Sequence, residues 1–284
     1  MVTLHTLLKN GNVPKSSGIF VIHDSSLGMK SRGRIQKFAS EHARSVAFLN
    51  AAGRIPAGLP LSPSDHVTEA TFFRLFAATL LPPDITSVLY LDCDLLVRQD
   101  IGGLLEVPVS SPVAAADHLS PPDEIRLWGP LGGAYFQAGV LIINLDSWRA
   151  NEADANFVQI AHRERHRIRW WDQDILNLAF ANAWERLEIW NNVGFRVVET
   201  FPKEVVDRCA RIVHFDGADK PWVIDKPRAF RDEWFREYRD VFGRPFDMRR
   251  VRQPLIRRGL VAIVRRLRRF LGTAKPTMRG TRGG

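Results

Sequence analysis

Asp92-Cys93-Asp94 follows the most strand-like segment of the chain, Val88-Leu89-Tyr90-Leu91. Carboxylates two residues apart on an extended chain share a face, so Asp92 and Asp94 have the types and spacing to hold one hard divalent cation, with Cys93 turned to the opposite face. The triplet alone is a weak signal, because the chain has 19 Asp and a second Asp-x-Asp, Asp172-Gln173-Asp174; its place at a strand end raises it. The plainer alternative is an acid that caps a turn or the next helix. His214 offers a third ligand, since it too follows a short apolar run, Arg211-Ile212-Val213. The residues after it, Asp216-Gly217-Ala218-Asp219-Lys220-Pro221-Trp222, set a flexible Gly217 near Lys220, the composition of a phosphate-holding loop in which backbone N–H groups and an ammonium face the anion. Metal and phosphate sites would then adjoin.

The elements that must position these residues read as an alternation of strands and helices. Residues 17–24 form a short apolar run, expected as a buried strand, followed by a basic helix over 30–43 and a Pro/Gly-rich connection over 53–63. Between 68 and 81 the apolar positions 70, 73, 76, 77, 80 and 81 recur with helical period, Arg74 is the one charge in their midst, and Pro82-Pro83 ends the pattern. The continuous hydrophobicity of 88–91 predicts a central strand covered on both faces, as in a parallel sheet. Further strands are expected over 113–116, 138–144 and 211–215, with helices over 153–166 and 172–183. Such alternation argues for an α/β doubly wound sheet with ligands at the carboxyl ends of its strands.

Composition narrows the function classes. The 284 residues are 45% hydrophobic and 25% charged, an ordinary globular balance. No stretch reaches the roughly 20 apolar residues of a membrane-spanning helix, and residues 1–15 lack the apolar core of a secretory signal, so a cytosolic protein is expected. Cys93 and Cys209 fit a reducing compartment as small buried side chains rather than a disulfide. The formal charge of +9 is concentrated at the C-terminus, where residues 248–284 hold 12 of the 40 Lys+Arg and no acid. Two parts are therefore expected, 1–247 and a basic tail of 248–284. Within the tail, apolar residues at 256, 260, 263, 264, 267, 270 and 271 can share one helical face with arginines around the other, the pattern of an interfacial helix on an anionic membrane surface through 254–271. The bland alternative is a helix packed on its own domain. Nucleic acid is disfavoured as a partner, because the arginines alternate with a continuous apolar face and Phe270 is the tail's only aromatic ring.

Five ordered segments together resemble family 8 glycosyltransferases, the group that includes glycogenins and lipopolysaccharide galactosyl- and glucosyltransferases. They are Thr71-Phe72-Phe73-Arg74-Leu75, the stretch 88–97 around Asp92-Cys93-Asp94, Phe136-Gln137-Ala138-Gly139 with the apolar run after it, Asp172-Gln173-Asp174-Ile175-Leu176-Asn177, and the stretch from His214 to Trp222. The resemblance covers residues 4–222. It implies a nucleotide-diphosphosugar transferase fold of the A type, a Rossmann-like mixed sheet, with a UDP-hexose donor, Mn²⁺ (or Mg²⁺), and transfer with retention to a glycan or glycolipid acceptor in lipopolysaccharide or cell-envelope polysaccharide synthesis. By the same resemblance Asp92, Asp94 and His214 match metal ligands, Gly217 and Lys220 match diphosphate contacts, and Arg74 matches a donor-side arginine. Asp172 and Gln173 match the catalytic positions beside the sugar's anomeric carbon. With the tail, this implies a cytoplasmic enzyme peripheral on the inner face of the plasma membrane.

Retention by double displacement wants a carboxylate nucleophile opposite the leaving group, and the family's position there carries an amide, Gln173. A front-face route fits better, with Gln173 stabilising the oxocarbenium-like centre and Asp172 orienting sugar hydroxyls. Gln137 matches a donor-binding position where the family usually has Asn, and its extra methylene is expected to change which donor hydroxyl is read. The sequence departs from the family also at the start: residues 4–10 resemble the end of the family's first helix, so the opening strand, which carries base- and ribose-holding residues, is expected to be missing. Either the true start lies upstream, or the chain is a degenerate, non-catalytic homologue acting as a membrane-associated binding protein. A phosphohydrolase with an aspartyl nucleophile is disfavoured, since Leu96 stands where that class wants Thr or Val.

Overall fold

The computed structural model describes residues 1–60, 68–120, 134–181, 183–218, 220–222 and 228–248. The chain divides into two units, Met1–Pro245 and Phe246–Gly284. The basic tail over 254–271, Asp219 and part of the connection over 53–63 lie outside the described residues.

A helix, α1 (Val2–Asn10), opens the first unit. Strand β1 (Ile19–His23), helix α2 (Met29–Glu41) and strand β2 (Val46–Asn50) follow as a β-α-β unit, the strands parallel with Ile19 opposite Val46. A 3-10 run, Glu69–Phe76, continues into a single α turn, α3 (Ala77–Leu80), which stops before Pro82-Pro83. The helix expected over 68–81 is thus mostly the tighter form. Five buried side chains in succession, Phe72 to Phe76, are wedged where the buried face of an α-helix would hold about half as many.

The main sheet has the order β3 (Ser87–Leu91), β6 (Phe136–Asn144), β5 (Val113–Asp117), β7 (Trp184–Leu187). The first two pairings are antiparallel and the last is parallel. Eight of the nine residues of β6 are buried, as befits a strand covered on both faces, which therefore shows no alternation. The expected strand over 88–91 is present as β3, and both its faces are covered: Val88 and Tyr90 pack on the cluster of Phe72, Trp148 and Phe157, Leu89 and Leu91 on that of Leu95, Val140 and Ile212. The expectation that it is central in a parallel sheet is corrected. β3 ends the main sheet and runs antiparallel to β6, because an apolar run reports what covers a strand's faces and not the direction or number of its neighbours. Among the described residues, β1 pairs only with β2 and β3 only with β6, so one edge of each has no strand beside it.

A separate antiparallel pair joins β4 (Leu95–Val97) to β8 (Ile212–His214), with Leu95 opposite His214. The helices are α4 (Leu145–Ala150), α5 (Ala153–Arg163), α6 (Trp171–Ala179), α7 (Phe195–Thr200), α8 (Lys203–Cys209) and α9 (Arg231–Phe242). Asn144 turns β6 directly into α4 by accepting the Ser147 N–H at 2.9 Å. α1 is clamped to α9 through Glu237, which accepts from Lys9 Nζ at 2.9 Å and faces His5 Nε2 at 3.1 Å. Both cysteines are free thiols, but the expectation that they are buried fails: Cys93 is exposed and Cys209 half-buried, Cys93 because the alternation that turns its acidic neighbours inward turns it out.

Candidate active site

The segment 92–94 bridges two sheets. The Asp92 N–H donates to Gly139 O at 2.9 Å, extending the β3–β6 ladder, and the Phe215 N–H donates to Asp94 O at 3.2 Å beside the β4–β8 pair. Asp92, Asp94 and His214 thereby meet with ligand atoms within 4.8 Å of one another. His214 Nε2 lies 3.3 Å from Asp94 Oδ1 and 3.6 Å from Asp92 Oδ2. Its Nδ1 is 3.2 Å from Asn192 Oδ1; donation there leaves the Nε2 lone pair on the carboxylate side, the tautomer a metal ligand needs. Gly139 is required: a Cβ on it would stand 2.2 Å from His214 Cε1.

These residues fit a divalent cation. Asp94 Oδ1 is buried and has no hydrogen-bond partner, which is costly for a carboxylate oxygen unless a cation satisfies it. Two carboxylates and an imidazole are a donor set that a divalent cation can use. Burial works against the charged imidazole of His214, but Asp94 and Asp92 outweigh it and its pKa ends raised. Asp94 is lowered: burial opposes its charge, and His214 and Lys220 more than compensate.

Buried Arg74 joins this centre to α6. Its NH2 meets Asp92 Oδ1 at 2.7 Å and its Nε meets Asp172 Oδ2 at 2.7 Å, while NH1 donates to Ala138 O. Tyr90 Oη donates to Asp92 Oδ1 at 2.9 Å with its ring under the guanidinium, and Thr71 Oγ1 donates to Asp172 Oδ1 at 2.8 Å. Burial raises the Asp172 carboxyl, and Arg74 opposes the rise. Lys220 Nζ donates to Asp94 Oδ2 and, at 2.7 Å, to Phe215 O.

The remaining residues singled out by sequence lie around this network. Gln173 Oε1 accepts the Ala138 N–H at 3.0 Å, so Gln173 and Arg74 hold the N–H and the C=O of one residue, Ala138. Gln137, 3% exposed, donates from Nε2 to Asp216 Oδ2 at 2.9 Å. Gly217 has φ +68°, a left-handed backbone that favours glycine, and stands three residues past His214. Trp222 packs on Trp234 of α9 with ring centroids 4.9 Å apart. A cavity of about 200 Å³, lined in part by Val193, Phe195, Phe215, Arg228 and Phe230, abuts His214.

Sequence reasoning missed Tyr90, Tyr135, Asn192 and Asp216. Tyr90 had a signal, since it shares Asp92's strand face two residues earlier. Asn192 and Asp216 had none beyond proximity: Asp216 is held by Gln137, by the Phe195 N–H at 3.2 Å and by Arg228 NH2 at 2.8 Å, all distant in sequence. Gly194 lets these groups meet, since a Cβ there would lie 2.4 Å from Asp216 Oδ2.

A mixed sheet whose strand end presents two acids, closed by a histidine and a lysine, defines the A-type nucleotide-diphosphosugar transferase fold, and solved structures agree. A galactosyltransferase, LgtC, crystallised with donor and acceptor sugar analogues, superposes with a TM-score of 0.70 over 86% of this chain and 99% of its own, at 19% identity. The glycosyltransferase GlyE of Streptococcus pneumoniae gives 0.62 over 98% and 62%, also at 19%. The family model "Glycosyl transferase family 8" matches residues 12–225, and the chain belongs to that family. Curated relatives include general stress protein A of Bacillus subtilis, 29% identical over 61% of this chain and 65% of the relative. The lipopolysaccharide 1,3-galactosyltransferase of Salmonella typhimurium is 25% identical over 74% and 65%. The chain spans between about a quarter and two thirds of the length of the first curated relatives it matches.

Proposed function

We propose that the protein is a metal-dependent retaining glycosyltransferase that moves a hexose from a UDP-sugar to a glycan or glycolipid acceptor in the synthesis of lipopolysaccharide or another envelope polysaccharide. The observation that carries this is the cluster of half-buried Asp92 and Asp94 and buried His214, with its orphaned Asp94 oxygen and Lys220 beside it. The names of the lipopolysaccharide relatives support the acceptor class.

Departure of a nucleoside diphosphate develops negative charge on its phosphate oxygens, and a diphosphate needs no protein acid to protonate it. A bound Mn²⁺ would supply Lewis-acid stabilisation of that charge. Lys220 adds a fixed ammonium, and the Gly217 backbone lets the loop approach the phosphates closely. On the sugar side, Arg74 holds Asp172 in one orientation from which it accepts hydrogen bonds from sugar hydroxyls. The Gln173 oxygen keeps one lone pair beyond its bond to Ala138 and faces positive charge developing at the anomeric carbon. Neither residue need form a covalent bond, which accords with front-face transfer. The cavity beside His214, with Phe195 41% exposed near it, suits the apolar face of an acceptor sugar.

A second reading, a non-catalytic homologue, draws on the edges of β1 and β3 that have no strand beside them among the described residues, the region to which the family resemblance assigns the base pocket. Titration of UDP with and without Mn²⁺, together with transfer from labelled UDP-glucose and UDP-galactose, separates the two. Metal-dependent binding with transfer is expected; binding without transfer favours the second reading. Asp94→Ala is expected to abolish the metal dependence of UDP binding, and retained Mn²⁺-dependent binding would remove the metal assignment.

A further inference from the structure

Behind Gln173 lies a buried polar chain that the proposed chemistry does not use. Tyr135, 1% exposed, sits just ahead of β6 with its ring in an aromatic cluster, 5.5 Å from both His118 and Trp170. Its hydroxyl donates to Asp174 Oδ1, and Gln173 Nε2 donates to the same hydroxyl oxygen at 3.3 Å. Asp174 is fully buried, and its other oxygen accepts the N–H groups of Arg169 and Trp170, each at 2.6 Å.

The donor and acceptor inventory leaves one arrangement. The Ala138 N–H can only donate, so the atom of Gln173 that meets it is the oxygen, and the NH₂ points to Tyr135. An ionised Asp174 can only accept, so the Tyr135 proton points to it and the hydroxyl lone pairs point to Gln173. Reversal of the amide would set NH₂ against the Ala138 N–H and leave the Tyr135 lone pairs facing an oxygen. Asn177, one turn further on, fastens the same strand by accepting from Phe136 N and donating to Phe136 O at 2.8 and 2.9 Å, so the strand cannot slide to relieve a reversed amide.

We propose that Tyr135, held by Asp174, is a positioning residue that fixes the side-chain amide of Gln173 with its oxygen on Ala138 and facing the reaction centre. The clasp itself follows from the geometry; its consequence for rate rests on the glycosyltransferase reading above. Burial raises the Asp174 carboxyl to about 6, opposed by the bonds from Tyr135 and the two backbone N–H groups, so the carboxylate is mostly ionised at neutral pH.

The test separates clasp from reading. In the full chain labelled with ¹⁵N-glutamine, the side-chain NH₂ of Gln173, identified by its disappearance in Gln173→Ala, is expected to exchange with solvent at least about tenfold more slowly than an exposed amide and to lose that protection in Tyr135→Phe. Free exchange in the wild type overturns the proposal whatever the activity. For turnover, Tyr135→Phe is expected to lower kcat about tenfold with donor KM and Mn²⁺ affinity within about twofold, and to have no further effect on kcat in a Gln173→Ala background. An unchanged kcat, or the same loss in both backgrounds, overturns the positioning role. A wild type that protects Gln173 but transfers no hexose would sink the proposed function and leave the clasp standing. If Tyr135→Phe does not fold, Asp174→Asn, which keeps the ring and weakens its anchor, takes its place with the same expected outcomes.

Discussion

Gly139 and Asp174 show how single residues set the chemistry of this site. A methyl group on Gly139 has no room beside the His214 ring, and because β6 is buried and paired on both edges the imidazole must move instead. Gly139→Ala is therefore expected to weaken Mn²⁺ binding at least about tenfold while the fold survives, read by titration of the metal beside a thermal melt. Asp174 has a consequence for stability. Its folded-state pKa of about 6 stands above the ordinary 3.8, so between those values the folded chain keeps a proton that the unfolded chain has released. Stability must then fall as pH rises from about 4 to about 6, by about 3 kcal/mol from this group. Urea unfolding of Asp174→Asn and the wild type across that window should show the difference between them changing by an amount of that order; a constant difference would remove the shift.

At the scale of elements, the site is a junction where the 3-10 run, β3, β6, β8 and α6 each contribute one or two side chains. Arg74 is its keystone, a single cation shared by the carboxylates of Asp92 and Asp172. Breaking a buried ion pair from one side typically costs about 3–5 kcal/mol, because the remaining charge has no partner. Arg74→Met should lower Tm by about 10 °C, less at acid pH where Asp172, already raised by burial, can take a proton; a melt unchanged at neutral pH would contradict the network. What the sequence disclosed about these elements follows from locality. The place of Asp92, Asp94 and His214 at strand ends was legible because such ends are marked by nearby apolar runs, and β5 and β6 because their buried stretches 113–116 and 138–143 are unbroken by polar residues. The three residues of β4 and the polar Trp184-Glu185-Arg186-Leu187 of β7 carry too little local pattern to stand out. The antiparallel sense of β3 and β6, and the meeting of Tyr135 with Gln173, depend on contacts between residues far apart in the chain, which periodicity does not encode.

For the molecule as a whole, the distribution of charge suggests where a transferase of this kind works. Residues 1–247 carry slightly more acid than base, while 248–284 carry 12 bases and no acid, and no described helix is long and apolar enough to cross a membrane. We propose that residues 254–271 bring the site to an anionic membrane surface, where a lipid-linked acceptor would be found. A basic residue near such a surface contributes about 1 kcal/mol, and the attraction fades within a Debye length. Neutralising Arg265, Arg266, Arg268 and Arg269 together to Gln should thus weaken binding to anionic vesicles by up to roughly 1000-fold. Binding to zwitterionic vesicles should change little, because the apolar residues of the segment are retained, and transfer to a soluble acceptor should stay the same. Raised salt should weaken the wild type far more than the variant, since only the wild type keeps the full charge to be screened. If the two proteins sediment equally with anionic vesicles at low salt, the arginines serve another purpose and the membrane location falls, while the metal and sugar chemistry of the first unit is untouched by that result.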